Sequence, residues 1–207
     1  MRPMHATVWG LFALMALTLP SLSAPTPSDD AGQIEAAPGE FLIAAPEMGD
    51  PRFDHAVILL VQHDHGGAFG IIVNRPVEEQ SLTKLLQELG QKTDGVSGKV
   101  EIYAGGPVES DIGFVLHSAE YHRPETMKID GKVAVTSSPA VLLDIAQQHG
   151  PQKYIVAFGY AGWGAGQLEN ELAQRAWFIA PGDATLLFGD DPAKLWQDVL
   201  DRREQAL

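Results

Sequence analysis

The chain has 207 residues, 45% of them apolar, which suits one ordinary domain with a sizeable core. Its 14 Lys and Arg face 27 Asp and Glu, so a net charge of −13 repels nucleic-acid phosphates. Cysteine is absent, which excludes disulfides, thiolate metal sites, iron–sulfur clusters, a cysteine nucleophile and lipoprotein anchoring.

Residues 1–24 read as a signal peptide: Arg2 near the start, an apolar run from Val8 to Leu19, then Pro20 and the small residues Ser21, Ser23 and Ala24. The run is too short to span a bilayer. Cleavage after Ser23 would leave an exported, periplasmic protein without a stable membrane anchor. Residues 25–38, rich in Pro, Ser, Asp and Ala and without periodicity, read as a flexible leader. The domain is expected to begin at Gly39 and to occupy 39–207.

Apolar runs rich in β-branched residues predict strands at Phe41–Ala45, Ala56–Gln62, Gly70–Val73, Val100–Tyr103, Gly113–Leu116, Lys132–Val135 and Tyr154–Phe158. Helical spacing predicts four helices. Leu82, Leu85, Leu86 and Leu89 follow Ser81 as N-cap and end at Gly90. Leu142, Ile145, Ala146 and His149 follow Ser138-Pro139 and end at Gly150. A third helix runs from about Gly166 to Arg175, and a fourth, around Trp196 and Val199, follows Asp191-Pro192 and ends near the basic pair Arg202-Arg203, where cations suit the helix dipole. Strands cluster early and helices are interspersed irregularly, so a mixed sheet fits better than strict βαβ alternation.

Polar residues at predicted strand ends are the site candidates. His63 and His65 flank Asp64 before Gly66-Gly67; they can face one metal, but no third ligand follows, and an inward, satisfied His63 with an exposed His65 is the simpler reading. No metal or other cofactor is expected. Asn74 and Arg75 end a strand, where the guanidinium can hold a carboxylate or phosphate, or join a surface ion pair. Gly105 and Gly106 permit either close approach of a ligand or a sharp, packed turn. His117 is expected to emerge at a strand end as a base or hydrogen-bond donor. No G-x-S-x-G elbow surrounds Ser137 or Ser138 to supply a nucleophile. The stretch Gly159–Glu169, GYAGWGAGQLE, reads as a glycine loop before a helix, with backbone amides open to an anion. It fits neither a P-loop nor a dinucleotide fingerprint.

Taken in order, FLIAAP at 41–46, GAFGIIVNRP at 67–76, GGPV at 105–108, GFVLH at 113–117, GYAGWGAGQLE at 159–169, Trp177 and Pro181-Gly182-Asp183 resemble the YqgE/AlgH family of bacterial proteins. The resemblance covers about Gly39 to Trp196. It implies an α+β fold: a mixed, bifurcated β-sheet curled into a pseudo-barrel with flanking helices, as a single domain. It also implies a pocket whose walls would be Asn74, Arg75, Gly105, Gly106, His117, Trp163, Gln167 and Glu169. Family members are taken as cytoplasmic, which the leader here opposes, and where the family often places an acid near the second helix start, this chain has Ala140.

Three functions follow. A small-molecule or anion-binding domain, regulatory in role, needs only geometry. A hydrolase or transferase would use His117 as base and amides near Gly105 and Gly106 as an oxyanion site. A transcriptional regulator, the label some family members carry, would need a basic face or a helix-turn-helix, and neither is legible. The first is preferred, with an anionic small molecule as partner and no direct nucleic-acid binding. Oligomeric state is not legible.

Overall fold

The computed structural model describes residues 35–205, so the signal-like segment and the leader through residue 34 lie outside the described residues. Ten strands form one sheet: β1 (Phe41–Ala44), β2 (Val57–Asp64), β3 (Gly67–Ile72), β4 (Pro76–Ser81), β5 (Lys99–Ala104), β6 (Val108–Ser118), β7 (Met127–Lys128), β8 (Val133–Thr136), β9 (Tyr154–Gly164) and β10 (Trp177–Ala180). Five helices flank it: α1 (Leu82–Glu88), α2 (Ala140–Ala146), α3 (Gln167–Ala173), α4 (Ala184–Leu187) and α5 (Leu195–Gln205). The spatial order is β10-β1-β2-β3-β9-β6-β8-β7, and the sheet curls into a half-barrel, the α+β architecture expected from the resemblance. No helix among the described residues is long and apolar enough to cross a membrane.

The sheet forks at β9. The first half of that strand lies between β6 and β5, and β5 is its parallel neighbour through Ile102–Ala104. The second half, Ala161–Gly164, pairs instead with β3. One neighbour replaces the other across Gly159, whose backbone is left-handed at φ 76°. A side chain at Gly105 would place its Cβ 2.4 Å from the Gly159 carbonyl oxygen, and one at Gly106 would sit 2.0 Å from the Tyr160 carbonyl carbon. The three glycines therefore exist so that backbones can cross closely where the sheet divides.

β1 and β2 are buried on both faces, which is why their sequences are unbroken apolar runs. Phe41, Ile43, Val57 and Leu59 point into the core closed by Leu187, Leu195 and Val199 of α4 and α5. Leu42, Ala44, Ile58 and Leu60 point the other way, toward Leu168 and Leu172 of α3 and Trp163 and Trp177. Leu82, Leu85 and Leu86 of α1 and Val141 and Leu142 of α2 make a third core over β5, β6 and β9. Each such fully buried side chain contributes about 1.5–3 kcal/mol relative to exposure.

Several expectations need correction. β4, PVEEQS, was not expected: it is polar and pairs with β5 alone. β10, α4 and the short β7 are likewise new. Gly159–Gly164 is strand, not loop, because its backbone is paired with β3 and β6. His117 lies within β6, paired with Ala134 and Tyr154, rather than emerging at a strand end. Ala36, in the segment read as leader, is buried.

Candidate functional site

Asn74 and Arg75 are brought together, but as parts of the fold. The Asn74 amide accepts from the Val57 N–H (2.9 Å) and donates to the His55 carbonyl (2.9 Å). The Arg75 guanidinium donates to the carbonyls of Arg52 and Asp54 (2.6 Å to the latter), closing the 3-10 turn Pro51–Phe53. Both border a cavity of about 440 Å³ with His55 and Trp196, where each Nη of Arg75 is already held by a backbone carbonyl. Gly105 offers no oxyanion donor, because its N–H donates to the Phe158 carbonyl at 2.7 Å.

His117 is fully buried. Its Nδ1 faces the Ser118 carbonyl at 3.0 Å, which can only accept, so Nδ1 carries the proton; Nε2, 2.9 Å from the Thr136 hydroxyl, is left to accept. The Thr136 oxygen in turn accepts from the Thr126 hydroxyl (2.8 Å). Burial pushes the imidazole below its ordinary pKa, against the smaller opposing effect of the Ser118 carbonyl. A neutral ring with both nitrogens engaged is a core hydrogen-bond element, not an accessible base. The pocket expected to unite Arg75, His117 and the glycine stretch is therefore not formed by these residues.

Trp163, Gln167 and Glu169 do cluster, around carboxylates. Glu171 accepts from the indoles of Trp163 (2.9 Å) and Trp177 (2.8 Å) on one oxygen and from Gln167 (2.9 Å) on the other. Gln167 also accepts the Gly164 N–H at 3.1 Å, so the turn into α3 is held by side chains. Glu169 accepts from His63 Nε2 at 2.8 Å, while His63 Nδ1 donates to the Ala36 carbonyl at 2.7 Å. Both partners of the buried His63 ring are acceptors, so the ring carries both protons and a charge. Burial opposes that charge, but the Ala36 carbonyl, then Glu169, then the charge of Glu35 outweigh it and raise the pKa. His63 is thus the satisfied inward residue, and His65 is exposed. No group of three or more metal-ligating side chains occurs among the described residues.

The concave site that does have unspent polar groups was not among the sequence candidates. A cavity of about 930 Å³ follows β10 along Trp177–Gly182, lined also by Leu172 of α3, Arg175 just after it, and Val199, Arg202 and Arg203 of α5. Lys132 also lines it. Four cations and one acid, Asp183, line it, in a chain whose net charge is −13. Arg202 is paired with Asp183 at 2.6 Å, whereas Arg203 lies over the Phe178 ring, 4.2 Å from its centroid. The one sequence signal was Arg202-Arg203, the densest basic pair in an acidic chain. Reading it as a helix-dipole device passed over its place on this cavity.

The family described as AlgH-like matches residues 41–207. A UPF0301 protein of Sphingopyxis alaskensis is 40% identical over 159 residues, 77% of this chain and 84% of that protein. One from Pseudomonas entomophila is 45% identical over 152 residues, 72% and 79% of the two chains. The solution structure of the AlgH protein from Pseudomonas aeruginosa superposes with a TM-score of 0.68 at 40% identity, covering 80% of this chain and 87% of that one. A crystal structure of a protein from Corynebacterium diphtheriae shares the fold at a TM-score of 0.65 and 22% identity, covering 83% and 89%.

Proposed function

This chain belongs to the AlgH-like family of UPF0301 proteins, and from that premise we propose that it is a non-catalytic binding domain whose ligand is an anion seated along β10. One observation carries the reading: Lys132, Arg175, Arg202 and Arg203 converge on an apolar-floored groove in a strongly acidic protein. Such a groove orients an anion by its rim and holds an apolar body against Phe178, Ile179 and Val199. Against a net charge of −13, a local cluster of cations attracts what the remaining surface repels.

Catalysis by His117 is not favoured, because the ring is buried and fully bonded. Nor is transcriptional regulation by direct DNA contact, because the clustered cations border a groove between two helices rather than a face that could follow a duplex.

A matched pair of probes tests the reading: the anionic fluorophore 8-anilinonaphthalene-1-sulfonate and its uncharged relative N-phenyl-1-naphthylamine. The anion should bind the folded chain saturably and more tightly than the neutral probe. Arg175→Ala and Arg203→Ala should each weaken it about tenfold or more, the scale of one hydrogen bond to a charged group. Equal binding of both probes, or variants indistinguishable from wild type, would overturn it.

A further inference from the structure

The groove follows a strand edge that no other described strand occupies. β10 is terminal in the sheet and pairs only with β1. Their register is Phe41 to Ala180 and Ile43 to Phe178, continued by the bond from the Ala45 N–H to the Ala176 carbonyl at 2.9 Å. In an antiparallel ladder the bonded pairs alternate, so Ala176, Phe178 and Ala180 turn their backbone groups toward β1. The matching bonds from β1 to β2 start at Glu40 and Ala44, as the alternation requires. Trp177 and Ile179 therefore direct their N–H and C=O groups away from the sheet and into the groove. Strand edges of this kind are usually blunted or covered because they pair with whatever extended chain reaches them. Here the blunting consists of the shortness of β10, four residues, and of Pro181 after the last outward donor, and residues of α3 and α5 line the groove beside the edge.

Resting on the anion-binding reading above, we propose that the occupant is an extended acidic peptide of another protein, which adds to β10 as an eleventh strand. Backbone bonds to Trp177 and Ile179 would give register. Acidic side chains on alternate peptide residues would reach Arg175 on the α3 side, or Arg203 and Lys132 on the other. Apolar side chains between them would face the opposite side of the sheet, lying on Phe178 and Val199 when the acids reach Arg175 and against Leu172 when they reach Arg203. Charge decides between this occupant and a second copy of the chain. β4, an exposed edge strand that carries acids, offers Glu78 and Glu79, but Glu79 is already paired with Lys99 at 2.7 Å. Docking one copy's β4 on another's β10 would also leave a free edge at each end and produce open chains rather than closed oligomers.

The test uses the full-length chain, labelled with ¹⁵N, and four synthetic peptides: alternating Glu and Val, alternating Lys and Val, and the Glu–Val peptide N-methylated at every second residue in either of two registers. One of these registers blocks the bonds to β10 while both keep the charge. The Glu–Val peptide should shift the amide signals of Trp177 and Ile179 and slow their hydrogen exchange at least tenfold. The Lys–Val peptide should not bind, and one N-methylated register should lose at least tenfold in affinity while the other binds nearly as before. Equal affinity of both N-methylated registers, with signals moving only at the arginine side chains, would overturn the strand proposal and leave the anion site standing. Failure of the Glu–Val peptide and of 8-anilinonaphthalene-1-sulfonate alike would overturn both. Self-association that protects Trp177 and Ile179 without added peptide, and that is lost on Glu78→Lys, would replace the peptide by a second copy and overturn the proposal.

Discussion

Replacing Glu171 by Ala should destabilise the fold by about 2–4 kcal/mol without altering its architecture. The magnitude follows from what the carboxylate holds. Trp163 and Trp177 are 7% and 2% exposed, and each directs its only polar atom at the same Glu171 oxygen. A buried donor left without a partner costs about 1–3 kcal/mol, so two indoles set an upper bound of about 6 kcal/mol. Glu171 is only partly buried, so water can enter the space it vacates and the cost falls toward the lower half of that range. Glu171→Gln keeps a carbonyl oxygen for the indoles and should cost about 1 kcal/mol. Urea denaturation followed by tryptophan fluorescence measures both variants. Trp163→Phe removes one donor, so Glu171→Ala should cost less in that background than in wild type. An Ala variant within about 0.5 kcal/mol of wild type, or a cycle with no coupling, would refute the bridging role, since surface substitutions away from such features fall in that range.

Trp163→Ala should cost about 3–5 kcal/mol, because the indole is buried against Trp177 and its loss leaves a cavity; the denaturation midpoint reads this directly. Gly105→Ala and Gly106→Ala should prevent folding or cost more than about 3 kcal/mol, since the new Cβ meets backbone that cannot move aside, while Gly49→Ala, with open space around it, should be neutral by the same assay. The two buried histidines should titrate in opposite senses. The raised pKa of His63 makes its contribution complete below the unfolded value near 6.5 and lost as pH climbs through the folded pKa, whereas the lowered pKa of His117 makes its contribution complete above 6.5 and lost as pH falls through the folded pKa. At pH 6.5, nitrogen NMR should find His63 carrying protons on both nitrogens and His117 on Nδ1 alone; His63→Gln should remove the loss of stability on the alkaline side.

The strands buried on both faces were legible because burial on both faces leaves an unbroken apolar run, as in FLIA and VILLV. β4 was not, because an edge strand facing water needs no apolar residues, and PVEEQS has only Val77. The glycines of GYAGWGAG were misread for a physical reason. Glycine frees the backbone in loops and equally lets two strands cross at a fork, and only the position of Gly105 and Gly106 against Gly159 and Tyr160 separates the two uses. His117 looked like a strand-end base because the apolar run stops at Leu116; that its ring is buried depends on β8, whose Thr136 lies 19 residues away. The resemblance singled out Asn74, Arg75 and His117, and in the structure each is held by partners within the fold. The groove was not legible beyond the pair Arg202-Arg203, because its other cations, Lys132 and Arg175, come from segments far apart in sequence that only the sheet edge gathers.

The claim that an anion sits along β10 is tested most directly by mapping where one binds. Titrating ¹⁵N-labelled chain with 8-anilinonaphthalene-1-sulfonate should shift the amides of residues 177–182 and the guanidinium signals of Arg175 and Arg203, with saturation that weakens as salt is raised. Shifts centred instead on Arg75, His55 and Trp196, with the β10 signals unmoved, would contradict the account and return the site to the cavity the sequence motif first suggested.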